Sequence, residues 1–385
     1  MATIFSRKLY FGSVVATAVL LGSFLSTGPA AYPQAAANTG KSIKVAIVGL
    51  AHDHIMGFLP QLASHKDVEL VGIVEANPEL VSKYESKYHL DPKLFYAKLD
   101  AMIEQKHPDA ILAYTSIAEH RAVIETAASH GISVMVEKPL ATTVADALAI
   151  RSAARAHHIQ VLVNYETTWY ASNLAAYQQL RDGKLGEVRR VVVHDGHKGP
   201  KEIGVSPEFL AWLTDPKQNG AGALFDFGCY GADLMTWLMK GEAPLTVTAV
   251  TQTNKPETYP KVDDEATVIL GYPKAQAVLQ PSWNWAFDRK DMELYGSTGY
   301  VITVGPNRLR VRHAGDAQES TEQATALTAP IDNSLNYLVA ALRGEVQPEG
   351  SLTGLDTNVV VMQILDAARE SAQTGKTVHL TKLPD

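Results

Sequence analysis

Cysteine is nearly absent. Cys229 is the only one in 385 residues, so no intrachain disulfide is possible. Basic charge is scarce as a pattern: the net charge is −7 and no basic stripe runs through the chain, which argues against non-specific nucleic-acid binding. There is no internal repeat, and no low-complexity tract beyond residues 26–40. Charged residues make up only 19% against 46% hydrophobic, the balance of a folded chain rather than a disordered one, and the length suffices for two domains.

The longest apolar stretch lies at the N-terminus. Arg7 and Lys8 precede residues 9–25, which Gly12 and Gly22 interrupt, and the small-residue run STGPAAYPQAAANTG follows. These are the three regions of an export signal. The stretch is glycine-containing and short for a membrane span, which favours cleavage over an uncleaved anchor. The Ala35-x-Ala37 spacing puts the cut after Ala37. Ser6-Arg7-Lys8-Leu9-Tyr10-Phe11 resembles a twin-arginine signal with lysine as the second base, and the general secretion route is the alternative. The expectation is a periplasmic or secreted protein with no stable membrane insertion after cleavage.

Residues 41–77 carry the first organised unit. An apolar run, 43–48, ends in Gly49; a helix is predicted over 55–64; a second apolar run, 68–74, ends in Glu75. In a dinucleotide-binding βαβ unit the first turn and helix N-terminus face the pyrophosphate, and the acid after the second strand holds the ribose. Glycines at 49, 51 and 54 would complete the fingerprint, but the chain has Gly49, Ala51 and His54. An ordinary βαβ unit with a polar turn is the competing reading.

Helices and strands then alternate: helices over 78–88, 99–106, 119–130 and 144–157, strands over 109–114, 132–136 and 160–163. The strands are continuous apolar runs, which describes a parallel sheet covered on both faces. After about residue 165 the character changes. A helix over 172–182 is followed by strands over 188–195, 245–253, 266–272, 275–281, 291–295 and 300–304, several of them alternating as an antiparallel sheet with one wet face does. Helices are predicted over 231–239, 334–342 and 356–374, a short last strand near Val378, and a polar surface loop over 314–329. The fold class is α/β: a doubly wound parallel sheet, then an α+β domain with a large, mostly antiparallel open sheet. The expected boundaries are 1–37 for the export signal, 38–165 for the nucleotide domain and 166–385 for the substrate and oligomerisation domain.

Four groups carry candidate chemistry. Glu137-Lys138-Pro139 ends a parallel strand, where open α/β sheets bind ligands; a lysine there can polarise a carbonyl or move a proton, or simply be solvated. Within 220–233 glycines let a helix N-terminus approach something closely, and Asp226, Tyr230 and Asp233 are spaced to share one helix face. Trp283 and Trp285 alternate onto one strand face, as a sugar platform or as core. His52 and His54 flank Asp53, but the sequence offers no evident third ligand, so no metal is expected.

The Glu-Lys-Pro tripeptide at 137–139, Thr115-Ser116 with His120, and the stretch 220–233 resemble, in order and separation, the Gfo/Idh/MocA family of NAD(P)-dependent oxidoreductases, over about 42–380. The resemblance implies a Rossmann domain, an open-sheet second domain that often makes oligomer contacts, and Lys138 and Asp226 near nicotinamide and substrate. Tyr230 stands where many members carry histidine; glucose–fructose oxidoreductase-like and dihydrodiol dehydrogenase-like members also carry tyrosine there.

The resulting expectation is an exported, homo-oligomeric enzyme that moves a hydride between NAD (NADP less so) and a sugar or polyol. Lys138, Tyr230 and Asp226 form the catalytic set. Gly49, Ala51, His52, His54, Glu75, Thr115, His120, Glu137 and Asn164 face the cofactor. Asp233, Trp169, Trp283 and Trp285 face the substrate. Lys138 is expected to lower the pKa of the Tyr230 phenol, with Glu166 and His197 the next candidates. A glycosidase or lyase using NAD transiently, and a sugar-binding protein that has lost its cofactor, are the alternatives.

Overall fold

The computed structural model describes residues 42–384, and the expected export signal lies outside them. The first sheet has six strands: β1 (Ile43–Val48), β2 (Val68–Val74), β3 (Phe95–Tyr96), β4 (Ala110–Ala113), β5 (Ser133–Glu137) and β6 (Val161–Asn164). Neighbours are all parallel, in the order β3-β2-β1-β4-β5-β6. The order reverses between β1 and β4, and open sheets bind ligands at that crevice. Alternate residues of β1 enter different cores: Ala46 and Val48 pack on one side of the sheet, Val45 and Ile47 on the other. Burial on both faces is why the strand reads as an unbroken apolar run. Helix Pro78–Tyr88 starts where Asn77 accepts from the Glu79 N–H at 2.9 Å and Pro78 occupies the first turn.

The second sheet has nine strands: β7 (Val188–Gly196), β8 (Thr246–Gln252), β9 (Glu265–Gly271), β10 (Gln276–Ser282), β11 (Arg289–Gly296), β12 (Gly299–Val304), β13 (Arg308–His313), β14 (Ser320–Gln323) and β15 (Val378–His379). Their order is β14-β13-β12-β11-β7-β10-β9-β8-β15, antiparallel except where β10 lies parallel to β7. The parallel pair sets the carboxyl ends of β7 and β10 side by side.

Several regions differ from expectation, among them β3 and β13, for which no strand was predicted. The predicted loop over 314–329 contains β14, which pairs with β13; its four residues are exposed, so no apolar alternation announced it. Residues 200–219 form three short helices, Pro200–Ile203, Pro207–Leu213 and Pro216–Asn219. The caps of the last two were present as Ser206-Pro207 and Asp215-Pro216.

The chain's end returns to its beginning. Leu335, Tyr337, Leu338, Val339 and Ala341 of helix Ser334–Leu342 join the core that holds Val45 and Ile47. Helix Leu355–Thr374 packs against β8, against helix Val144–Ala156 and against helix Gly228–Leu238. Among the described residues no helix is long and apolar enough to cross a membrane.

Candidate active site

Lys138 follows β5 directly and is buried. Its ammonium donates to the Asp226 carbonyl at 2.8 Å and makes a short ion pair with Asp226 Oδ1. The other carboxylate oxygen accepts from Trp283 Nε1 at 2.9 Å. Burial pushes the Lys138 pKa down, but Asp226 more than offsets this and leaves it above the ordinary lysine value. Burial likewise raises Asp226, and Lys138 outweighs it, so the carboxyl titrates below its usual range. Both groups are therefore charged at neutral pH, buried and paired.

Asp226 ends a short helix, Ala223–Asp226, and the chain breaks at Phe227 before helix Gly228–Leu238 begins. Asp226 thus does not share a helix face with Tyr230 and Asp233, contrary to expectation. The close approach made by the preceding glycines is to protein. A Cβ on Gly222 would stand 1.8 Å from the Asp263 carbonyl oxygen, and the Asp263 carboxylate caps Gly222 N–H at 2.8 Å and Leu224 N–H at 2.7 Å. Asp263 fixes the short helix that presents Asp226.

Two lysines approach the Tyr230 ring: Lys138 lies 5.1 Å and Lys290 5.4 Å from its centroid. Both ammoniums face the ring rather than pair with a phenolate. Burial, with Glu166 and other acids, drives the phenol pKa well above 10. The expected lowering by Lys138 is not found, because burial and the neighbouring acids outweigh the lysine charge. Lys290 was missed by the sequence reading. It leaves β11, which gave no motif, and pairs with Glu166, whose other oxygen accepts from the Tyr170 hydroxyl at 2.6 Å. His197 packs edge-on to Phe227 at 4.8 Å, and its Nδ1 accepts from Gly199 N–H at 2.9 Å, which leaves the neutral ring's proton on Nε2. Burial lowers its pKa below 6.5. Asp195 at the end of β7, also missed, is buried within electrostatic range of Lys290, Glu166 and Lys138; burial raises its pKa well above the carboxylate norm.

At the crevice between β1 and β4, Gly49 adopts φ +84°, and a Cβ there would meet Thr115 Cγ2 at 2.7 Å. Only glycine suits both the conformation and the contact. Glu75 ends β2 as expected and accepts from Leu50 N–H at 2.9 Å and Asn77 N–H at 2.8 Å, spending one lone pair on each oxygen. A carboxylate has further lone pairs for ribose hydroxyls. Glycine turn, terminal acid and switch-point crevice together fit NAD. The Ala51 carbonyl is covered by Trp212 Nε1 at 3.1 Å, and Asp53 accepts from Ser206 N–H at 2.7 Å, so residues 200–219 close over the turn.

The other expected residues divide. Asn164 donates to Glu137 at 2.8 Å and accepts from Trp169 Nε1 at 3.0 Å, joining both to the site edge. His120 is wholly buried against the Leu140 carbonyl at 3.2 Å, where it supports the loop after Lys138. Asp233 is buried with neither carboxylate oxygen partnered. Trp283 is wholly buried and Trp285 half-buried under the Arg289 guanidinium at 5.0 Å; both lie past the end of β10, where strand alternation no longer holds, so they form no common sugar platform. The pair His52 and His54 acquires the third candidate ligand that the sequence did not reveal: Glu137, with its Oε2 2.9 Å from His54 Nδ1.

Two family models match the chain, the oxidoreductase family with an NAD-binding Rossmann fold over residues 43–165 and the GFO/IDH/MocA C-terminal domain over 173–302. A D-apiose dehydrogenase of Paraburkholderia graminis is 23% identical over 370 residues, 91% of this chain and 92% of that protein. A trans-1,2-dihydrobenzene-1,2-diol dehydrogenase of Bos taurus is 28% identical over 50% of this chain and 53% of its own. Among solved structures, the aldose-aldose oxidoreductase from Caulobacter crescentus complexed with glycerol superposes with a TM-score of 0.75 at 25% identity, covering 88% of this chain and all of that one (100%). An inositol dehydrogenase homolog from Azotobacter vinelandii complexed with NAD+ shares the fold at a TM-score of 0.77 and 20% identity, over 90% of this chain and 99% of that one.

Proposed function

We propose a function from one premise: the chain belongs to the GFO/IDH/MocA family of oxidoreductases and carries its NAD-binding Rossmann domain. It is an NAD-dependent oxidoreductase acting on a CH–OH group of a sugar or polyol, and it works outside the cytoplasm. The observation that carries the chemistry is the buried Lys138–Asp226 pair against Tyr230, at the carboxyl edge of the sheet that holds the cofactor turn.

Bound NAD supplies the hydride acceptor or donor. The chain's own residues handle the oxygen and its proton. Lys138 presents a fixed ammonium, held charged by Asp226, to the oxygen of the reacting carbon. That charge stabilises the oxygen as it turns anionic, and does so more strongly in a dry site than in water. Tyr230 enters as a neutral phenol, because burial has raised its pKa, so it donates to a ketone oxygen in the reductive direction. By microscopic reversibility, oxidation returns the hydroxyl proton to a deprotonated Tyr230, so the raised phenol pKa favours the reductive direction near neutral pH. Glu166 and Lys290 line the same space and suit the neighbouring hydroxyls of a polyol.

Purified protein incubated with NAD and a panel of sugars and polyols, or with NADH and the corresponding ketoses and aldonolactones, should change absorbance at 340 nm with at least one of them. Absence of NAD binding by calorimetry, with no turnover across the panel, would overturn the reading. Export rests on the leader sequence, and N-terminal sequencing of native material should begin near Asn38; an intact segment 1–30 held in the membrane would refute it.

A further inference from the structure

We propose that His52, His54 and Glu137 form a binding site for one divalent transition-metal ion of the zinc class, at the rim of the cofactor turn. The three residues come from two segments far apart in sequence, and one ligand atom from each lies within 4.8 Å of the others. Two imidazoles and one carboxylate are a donor set that holds zinc while leaving a fourth position open. Ligand atoms around a tetrahedral ion with bonds of about 2.0–2.1 Å stand roughly 3.4 Å apart, so closing the set needs movements on the order of 1 Å.

The surroundings are built as those of a metal site are. Asn164 donates to Glu137 Oε1 at 2.8 Å and fixes the carboxylate with Oε2 toward the histidines. Such outer hydrogen bonds orient ligands before an ion arrives. His52 is buried against the rings of Phe209 at 4.6 Å and Trp212 at 5.3 Å, an apolar wall that restricts its motion and excludes water on that side. His54 stands edge-on to His52 at 4.5 Å. Lys138, next in sequence to Glu137, pairs with Asp226 rather than with Glu137. Ligation would replace the bond between His54 and Glu137 with two bonds to one ion.

The test uses NAD-free protein and the metal alone, so it stands whether or not the oxidoreductase reading does. Calorimetric titration with Zn2+ should show one saturable equivalent. Co2+ at the same site should give visible absorption bands that Zn2+ abolishes. His54 is 44% exposed, so His54→Ala leaves the core intact and should weaken binding at least tenfold and remove the Co2+ bands. Glu137→Gln should do the same, with its melting temperature showing whether it folds. No saturable binding to the wild-type chain would overturn the proposal. Equal affinity in His54→Ala would also overturn it, since the ion would then sit elsewhere and the His54–Glu137 contact would be an ion pair only.

Discussion

Lys138 and Asp226 are two charges taken out of water together. Removing one leaves the other buried and unpaired, at a cost of about 3–5 kcal/mol. Lys138→Met alone should therefore lower the melting temperature markedly, while Lys138→Met with Asp226→Asn should recover most of the loss. Thermal denaturation of the two variants checks this, and equal destabilisation would mean that the pair is not electrostatically coupled. Tyr230→Phe is gentler, because the ring and its two lysines remain. We expect it to fold normally and to lower kcat by roughly 10²–10⁴-fold, with KM little changed, since a proton-transfer partner matters in the transition state. At this scale Lys138, Asp226 and Tyr230 were legible as short motifs with distinct spacing. Lys290 and Asp195 were not, because a lone lysine or aspartate on a strand carries no local signal; only the pairing of β7 with β10 and β11 brings them to the crevice. Glu137 was read as a cofactor residue, and its contact with His54 spans 83 positions, which no local pattern encodes.

Short elements carry the site, and they depend on close backbone approach. Gly222 allows the helix Ala223–Asp226 to lie against Asp263, whose carbonyl would be 1.8 Å from an added Cβ. Gly222→Ala should force the segments apart and cost at least the 1–3 kcal/mol typical of overpacking. Turnover should fall further than stability explains, because Asp226 moves with its helix. Asp263→Asn is the milder control. It keeps an acceptor for one of the two N–H groups, so a larger effect from Asp263→Asn than from Gly222→Ala would place the constraint in the cap rather than in the contact. The parallel strands were legible because burial on both faces makes them continuous apolar runs, and helix Ser334–Leu342 because its period is regular. Edge strand β14 and the helices of residues 200–219 were not, since the first is wholly exposed and the others are too short to show a period.

The whole molecule responds to pH through groups that its core keeps neutral. His120 is fully buried, and burial lowers its pKa from 6.5 to about 4. Above pH 6.5 neither the folded nor the unfolded chain binds a proton there, and the stability from its neutral burial is fully present. As pH falls from 6.5 toward 4 the unfolded chain takes up a proton that the folded chain refuses, so stability declines, by about 3 kcal/mol for a shift of this size. Melting temperatures measured between pH 7 and 4.5 should fall, and the slope should shrink in His120→Gln. Cofactor choice is also set across the molecule's crevice. The Glu75 carboxylate would stand against a 2′-phosphate, and like charges about 4 Å apart cost roughly 1–4 kcal/mol in this setting. Glu75→Gln should therefore lower the preference for NAD over NADP by about tenfold or more; unchanged relative affinities at matched ionic strength would remove Glu75 from that role.

The return of residues 334–342 to the core of β1 has a consequence for the order of synthesis. β6 ends at Asn164, yet the part of this core that helix Ser334–Leu342 completes, beside helices Ile55–Ser64 and Pro78–Tyr88, stays open until that helix has left the ribosome. At about 5–20 residues per second, the intervening stretch takes roughly 10–35 s to emerge. For that interval the nascent nucleotide-binding half exposes the apolar surface that this helix will cover to any chaperone that grips apolar chain.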